Sequence, residues 1–317
     1  MNDDHRDDNT RTPSRRRFLE CMAWAGAGAL WMVQGGVAQA RLLGAAGDGT
    51  PAPAASFGFV QISDSHLGFH KAPNPDPVRS LRETIARINA LPQRPDFILH
   101  TGDLTHLSKP EEFDTVAELL KEAKTGQVFY VPGEHDVIGD NGKAFFARFG
   151  HGANGGGWYS FDHGGVHFVA LINVLNLQPG GLGFLGADQL AWLKRDLAGL
   201  SDSTPIVLFA HMPMWSLYPA WGWGTQDAAE ALALLKRFGS VTVLNGHVHQ
   251  IQQQVEGQVT FYTARSTAYP QPPPGAAATP GPLQDLPAGD LRHAIGLREV
   301  RHVRGAQPIA VTDRALD

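Results

Sequence analysis

The chain has 317 residues, 43% hydrophobic and 18% charged, enough to bury one large domain or two small ones, so intrinsic disorder is excluded. A formal net charge of −5 leaves no basic footprint, which excludes nucleic acid as the main partner. One cysteine, Cys21, excludes a disulfide scaffold and a thiolate metal cluster.

Residues 1–40 read as an export signal rather than as part of the fold. A polar leader, Asp3 to Thr12, precedes Ser14-Arg15-Arg16-Arg17-Phe18-Leu19. A Gly/Ala-rich apolar stretch from Cys21 to Val37 follows, and then Ala38-Gln39-Ala40. The paired arginines with Phe-Leu behind them resemble the twin-arginine type of signal. The other reading is a membrane anchor, because the apolar stretch is close to the lower length limit for a span. The glycines and the small-x-small end favour cleavage. The expectation is a soluble mature protein, periplasmic or secreted, with the twin-arginine export machinery as a partner and no stable membrane anchor after cleavage. The signal holds five Lys/Arg and five Asp/Glu, so its removal leaves the net charge unchanged. It also removes Cys21. A route that exports folded proteins suits an enzyme that must collect its metals first.

Residues 41–56 have the Ala/Gly/Pro composition of a linker. The domain proper is expected over 57–312. The run Phe57 to Ile62 predicts a strand and leads into Asp64-Ser65-His66. Asp76 to Leu91 puts Val78, Leu81, Ile85 and Ile88 at helical spacing. Asp96 to His100 predicts a strand ending at Thr101-Gly102-Asp103. Glu111 to Ala123 is helical through Phe113, Val116, Leu119 and Leu120. Gln127 to Tyr130 is a short strand followed by Gly133-Glu134-His135-Asp136. Trp158 to Phe161 and Val166 to Ile172, joined by Gly164-Gly165, predict a hairpin. Helices are expected over 186–200 and 226–238. Pro205 to Ala210 runs into His211, and Val241 to Asn245 into Gly246-His247-Val248-His249. Gln250 to Glu256 and Gln258 to Ala264 predict a second hairpin. Tyr269 to Gly289 is rich in Pro, Ala and Gly and is expected to be a long surface loop. Leu297 to Val303 and Pro308 to Thr312 are expected to close the domain as edge strands. Strands alternating with helices, together with hairpins, give an α/β fold with mixed sheets.

Five apolar runs thus deliver Asp, Glu or His at the same end, where α/β folds place their ligands. The candidates are Asp64, His66, Asp103, Glu134, His211, His247 and His249. Imidazole and carboxylate donors without sulfur suit Mn, Fe, Zn or Co. Seven ligands are too many for one ion and about right for two, with one carboxylate bridging. Such a pair clamps the attacking and leaving oxygens of an in-line displacement and acidifies a bound water. Phosphate esters, which hydrolyse extremely slowly unaided, require that kind of help.

Asp64-x-His66, Gly102-Asp103, Gly133-x-His135-Asp136, His211 and Gly246-His247-x-His249 resemble the calcineurin-like metallophosphoesterases. The likeness covers residues 57–250 and is nearest the cyclic-nucleotide and glycerophosphodiester phosphodiesterase branch. It implies a four-layer αββα sandwich with the site at the strand ends, and two metal ions, Mn, Fe or Zn. It implies that Asp64, His66 and His249 hold one metal and that Glu134, His211 and His247 hold the other. Asp103 would bridge them together with a hydroxide nucleophile, and the substrate would be a small phosphate ester. His135 is implied to donate to the phosphate, with Asp136 orienting its ring. Where the family has Asn, this chain has Glu134. A carboxylate binds metal more tightly but cannot donate to a phosphate and repels it. Glu134 therefore opens the alternative of a weakly active or non-catalytic metal-binding protein on the same scaffold.

Among the other histidines, His70 and His106 are expected either to line the pocket or to be solvated loop residues. His100 is expected in the core, and His151, His163, His167, His293 and His302 are read as structural. His151 to Gly157 lacks the features of a phosphate cradle. The aromatic segment Trp215–Trp223 either covers the leaving group or packs its loop. Arg265 is expected in a surface ion pair.

Overall fold

The computed structural model describes residues 29–34 and 37–42 as backbone, and residues 56–150, 157–287, 289–303 and 309–317 in full. The chain divides into the units Met1–Ala52 and Pro53–Asp317. In the first, β1 (Ala29–Gln34) and β2 (Val37–Leu42) pair antiparallel. The paired arginines, His151 and most of the linker lie outside the described residues. No helix among the described residues is long and apolar enough to cross a membrane.

The second unit alternates strand and helix. In chain order it contains β3 (Ser56–Ile62), α1 (Pro77–Asn89), β4 (Phe97–His100), α2 (Pro110–Leu120), β5 (Val128–Tyr130) and α3 (Lys143–Phe149). The hairpin β6 (Tyr159–His163) and β7 (Val166–Ala170) comes next, then α4 (Ala187–Leu197), β8 (Ile206–Phe209), α5 (Ala228–Leu235) and β9 (Val241–Asn245). It finishes with β10 (Gln252–Glu256), β11 (Val259–Thr263), α6 (Leu291–Ala294), β12 (Gly296–Val303) and β13 (Ala310–Ala315).

The strands make two mixed sheets, in the orders β10-β11-β9-β8-β7-β6 and β13-β12-β3-β4-β5. Strands β7, β8, β9 and β11 run parallel, as do β3, β4 and β5. A parallel strand is buried on both faces, which explains the continuous apolar runs of β8 and β9. Three cores follow from the layering. Phe57, Phe59, Phe97, Phe168, Phe209 and Leu244 fill the space between the sheets. Leu193, Leu197, Ala231 and Leu235 cover the six-stranded sheet from α4 and α5. Leu81, Ile85, Ile88, Phe113, Val116 and Phe145 cover the other from α1, α2 and α3. The expected four-layer αββα sandwich is what these residues build.

One strand departs from expectation. Leu297–Val303 was expected at an edge, but β12 lies between β13 and β3 and pairs with both. Its Arg298 is fully buried and crosses between the sheets, donating to Asp313, Gln61 and the Thr263 carbonyl. Of the two strands expected at an edge, β13 alone lies at one. Polar residues satisfied by partners far away in sequence made a central strand look like a peripheral one.

His167 is structural, as expected, and its setting makes stability depend on pH. Its ring is held by Asp162 at 2.8 Å and by Asp196 on α4 at 2.9 Å. Burial opposes protonation, but the two carboxylates prevail and raise its pKa. A raised folded pKa gives stability that is complete below the unfolded value near 6.5 and is lost as pH rises through the folded value. Relative to a His167→Gln variant, the wild-type protein should therefore be more stable by about 1–2 kcal/mol near pH 6. That gap should shrink by pH 9, as read from urea midpoints; a gap independent of pH would mean a neutral ring throughout.

Candidate metal centre

The C-terminal ends of β3, β4, β5, β8 and β9 converge on one point, and the loops there are tied edge to edge. Asp64 N–H donates to the Gly102 carbonyl, His66 N–H to that of Asp103, and Gly246 N–H to that of His211, each at 2.9 Å. The turns that aim the side chains inward are backbone-strained. Asp64, His66, Asp103, His247 and His249 all have positive φ, between 42° and 67°. Such conformations cost free energy for non-glycine residues and cluster at functional sites. At Gly133 the approach is so close that a Cβ would overlap the Asp103 carboxylate. Only glycine fits there.

The seven expected ligands meet. Asp64, His66 and His249 form one triad, and Glu134, His211 and His247 another, with ligand atoms in each within 4.8 Å of one another. Asp103 lies between them. Its Oδ1 accepts the His135 backbone N–H at 2.9 Å, while its Oδ2 is 3.5 Å from both His66 Nε2 and His211 Nε2. One carboxylate oxygen is thus anchored and the other faces both triads, which is the disposition of a bridge.

The histidines are prepared as ligands. His211 Nδ1 meets the Thr101 carbonyl at 2.7 Å, and His249 Nδ1 meets the Tyr269 carbonyl at 2.6 Å. A carbonyl only accepts, so these Nδ1 atoms carry the protons and leave Nε2 with a bare lone pair. His66 Nδ1 faces His106 Nδ1 at 3.4 Å. His66 Nε2 and His249 Nε2 then stand 3.2 Å apart, a separation suited to neighbouring ligands on one ion whose bonds are about 2.1 Å long. Asp64 Oδ2 and His247 Nε2 are buried without a hydrogen bond, while Glu134 meets His211 Nε2 at 2.8 Å and His247 Nδ1 at 3.0 Å. Buried polar atoms rarely stay unsatisfied. The residues fit a pair of cations, and sulfur-free donors of this kind suit first-row ions.

Electrostatics point the same way. Burial opposes the charge on Glu134, but His247 and His211 hold its carboxyl well below the usual range, with contacts of 3.0 and 2.8 Å. Burial also opposes a proton on His211, yet Asp103 and Glu134 push its pKa well up. His66 is driven well down, first by burial and then by the charges of His135 and His249.

His135 is half-buried beside Asp103 and Glu134. Its ring is oriented by the His106 carbonyl, which accepts from Nδ1 at 2.7 Å. Asp136, expected to orient that ring, does something else. Its carboxylate accepts the backbone N–H groups of Gly133, Leu104 and Thr105 and the Thr105 hydroxyl. It clamps the β4 loop to the β5 loop. Burial and the Asp103 charge push it up to about 7, against the pull of those donors.

Of the remaining histidines, His106 belongs to the site, stacked on the His135 ring at 4.9 Å, whereas His70 is exposed. Burial drives His106 down to about 4, aided by the His135 charge. His100 is buried below the site and meets the Ser65 hydroxyl at 2.9 Å, as a core residue should. In the aromatic segment Trp215, Trp221 and Trp223 are buried. Trp215 joins the core under α4 and α5, and the other two pack on Val248, between the candidate ligands His247 and His249. The packing reading holds, because these rings support the ligand loop. Arg265 donates to the His293 carbonyl, not to an anion. Sequence reasoning missed Tyr269, whose buried ring lies 4.9 Å from that of His66 and 4.8 Å from that of His249. Nothing in a Pro-rich segment following the last motif signals such a contact.

Comparison with known proteins agrees with this geometry. A family model described as calcineurin-like phosphoesterase matches residues 57–251. The chain is 26% identical over 217 residues to a 3',5'-cyclic-nucleotide phosphodiesterase of Nostoc sp., covering 67% of this chain and 78% of the relative. It is 26% identical over 228 residues to a probable glycerophosphodiester phosphodiesterase of Arcobacter nitrofigilis, covering 66% and 78%. The fold matches a dimetal phosphatase from Danio rerio with a TM-score of 0.61 at 15% identity, over 84% of this chain and 98% of that one.

Proposed function

Because the chain belongs to the calcineurin-like phosphoesterase family, we propose that it is a dinuclear metallohydrolase that cleaves small phosphodiesters in preference to monoesters. Membership makes it a metal-dependent phosphoric ester hydrolase. Asp64, His66 and His249 would hold one first-row ion, Glu134, His211 and His247 another, and Asp103 would serve both; when bound, the pair would supply Lewis-acid charge and an acidified water. The remaining work is done by the chain's own groups. The His106 carbonyl fixes the His135 ring with its proton on Nδ1, leaving Nε2 to meet the phosphoryl group. Asp136 and Gly133 fix the loop that carries His135 and Glu134.

The observation that carries the diester preference is Glu134. It places a third carboxylate among the ligands, beside Asp64 and Asp103. Two divalent ions and three carboxylates leave a net charge of about +1, which suits a monoanionic diester better than a dianionic monoester. The names of the Nostoc and Arcobacter relatives support the same class. Replacing Glu134 with Asn restores a neutral ligand with a donor. Glu134→Asn should raise monoester turnover about tenfold relative to diester turnover while metal affinity falls, as read with p-nitrophenyl phosphate against bis(p-nitrophenyl) phosphate. An unchanged ratio would remove the charge argument. A wild-type protein that is fully metallated yet cleaves neither ester would favour the binding-protein alternative that Glu134 raises.

The sequence of residues 1–40 supports export by the twin-arginine route to the periplasm or beyond. A mature chain beginning at Arg41 is what that reading requires.

A further inference from the structure

Tyr269 forms a wall of the metal centre, and its backbone is fixed from both sides. Its N–H donates to the Ser266 hydroxyl at 3.0 Å, and that hydroxyl donates to the Asp64 carbonyl at 2.7 Å. Its own carbonyl receives the proton of the ligand His249. The ring stacks on His66 with 25° between the planes and packs on Phe69 at 4.5 Å. Every contact that places the ring is thus made by its carbon atoms or its backbone.

The hydroxyl is left over. It hydrogen-bonds to no described residue, yet it is absent from the sealed, unsatisfied polar atoms although the residue is only 4% exposed. It therefore keeps access to solvent from an otherwise buried side chain. The ring that carries it is seated against the candidate ligands of one triad, 4.9 Å from the His66 ring and 4.8 Å from the His249 ring. An unused donor held rigidly beside two metal ligands is preorganised for an anion.

We propose that the Tyr269 hydroxyl donates a hydrogen bond to a non-bridging phosphoryl oxygen of the bound ester, supplying a donor that the carboxylate of Glu134 cannot. The proposal rests on the phosphoesterase reading for its ligand, but its test does not depend on turnover. The probe is inorganic phosphate, titrated calorimetrically into metal-loaded protein. Tyr269→Phe keeps the ring and removes only the O–H. Phosphate affinity should fall about 10- to 100-fold, the range for a hydrogen bond to a charged group. Diester turnover should fall in parallel, while metal content and thermal midpoint stay those of the wild type. Unchanged phosphate affinity in Tyr269→Phe would overturn the proposal. Loss of metal would also overturn it, by assigning the hydroxyl to the metal sites themselves. If wild-type protein binds phosphate in a Tyr269-dependent way but cleaves no ester, Tyr269 keeps its role and the catalytic reading fails instead.

Discussion

Asp103→Ala should lower ester hydrolysis by about 10³-fold or more and leave no more than one tightly held metal per chain. Removing even one preorganised donor from such a site costs about 10²–10³ in rate. Asp103 is worth more than that, because its Oδ2 faces His66 and His211, one from each triad, at the same 3.5 Å. Without it the two sets of three ligands have nothing in common. The fold should survive. Asp103 sits in a loop beyond β4, and its loss leaves chiefly the His135 N–H without a partner, a cost of about 1–3 kcal/mol. Part of that is returned as the repulsion among Asp64, Asp103 and Glu134 is relieved. Metal analysis and circular dichroism of the same sample check both halves. A folded variant that keeps both ions would show that Asp103 does not bridge.

His135→Ala should fail differently. Turnover should fall by about 10²–10³, the range for losing a positioned acid or oxyanion donor, while the metal content stays intact. The distinction follows from geometry. His135 lies against Asp103 and Glu134, but its Nδ1 is committed to the His106 carbonyl and it belongs to neither ligand triad. Burial opposes a charge on its ring, and the carboxylates of Asp103 and Glu134 outweigh that and raise its pKa. Equal loss of metal and activity would make it a ligand instead. The contrast with Asp103→Ala is therefore in the metal count more than in the rate.

The convergence of the seven candidate ligands was legible in the sequence because a parallel sheet converts order along the chain into convergence in space. Apolar runs become buried strands, and whatever follows them is delivered to the same edge. Asp64, His66, Asp103, Glu134, His211, His247 and His249 could be read one run at a time. What could not be read depends on contacts between loops. Asp136 looked like a partner for the neighbouring His135, but backbone N–H groups about thirty residues away compete for it and win. The orienting group is a carbonyl, that of His106, and a carbonyl leaves no trace in a residue pattern. Tyr269 reaches the site from a segment whose prolines announce only a loop. The helix α3 went unread, because seven residues, Lys143–Phe149, are too few to establish a period. The Trp215–Trp223 segment was ambiguous for another reason. Aromatic rings serve pockets and cores equally well, and only burial separates the two.

The proposed centre of seven side chains would hold a metal pair that hydrolyses phosphodiesters. Metal analysis of the purified protein, paired with turnover of bis(p-nitrophenyl) phosphate in the presence of Mn, Fe or Zn, tests it most directly. About two first-row ions per chain, with diester cleavage faster than that of p-nitrophenyl phosphate, is the expected result. A protein carrying both ions that cleaves neither ester, or one that binds no metal at all, would contradict it.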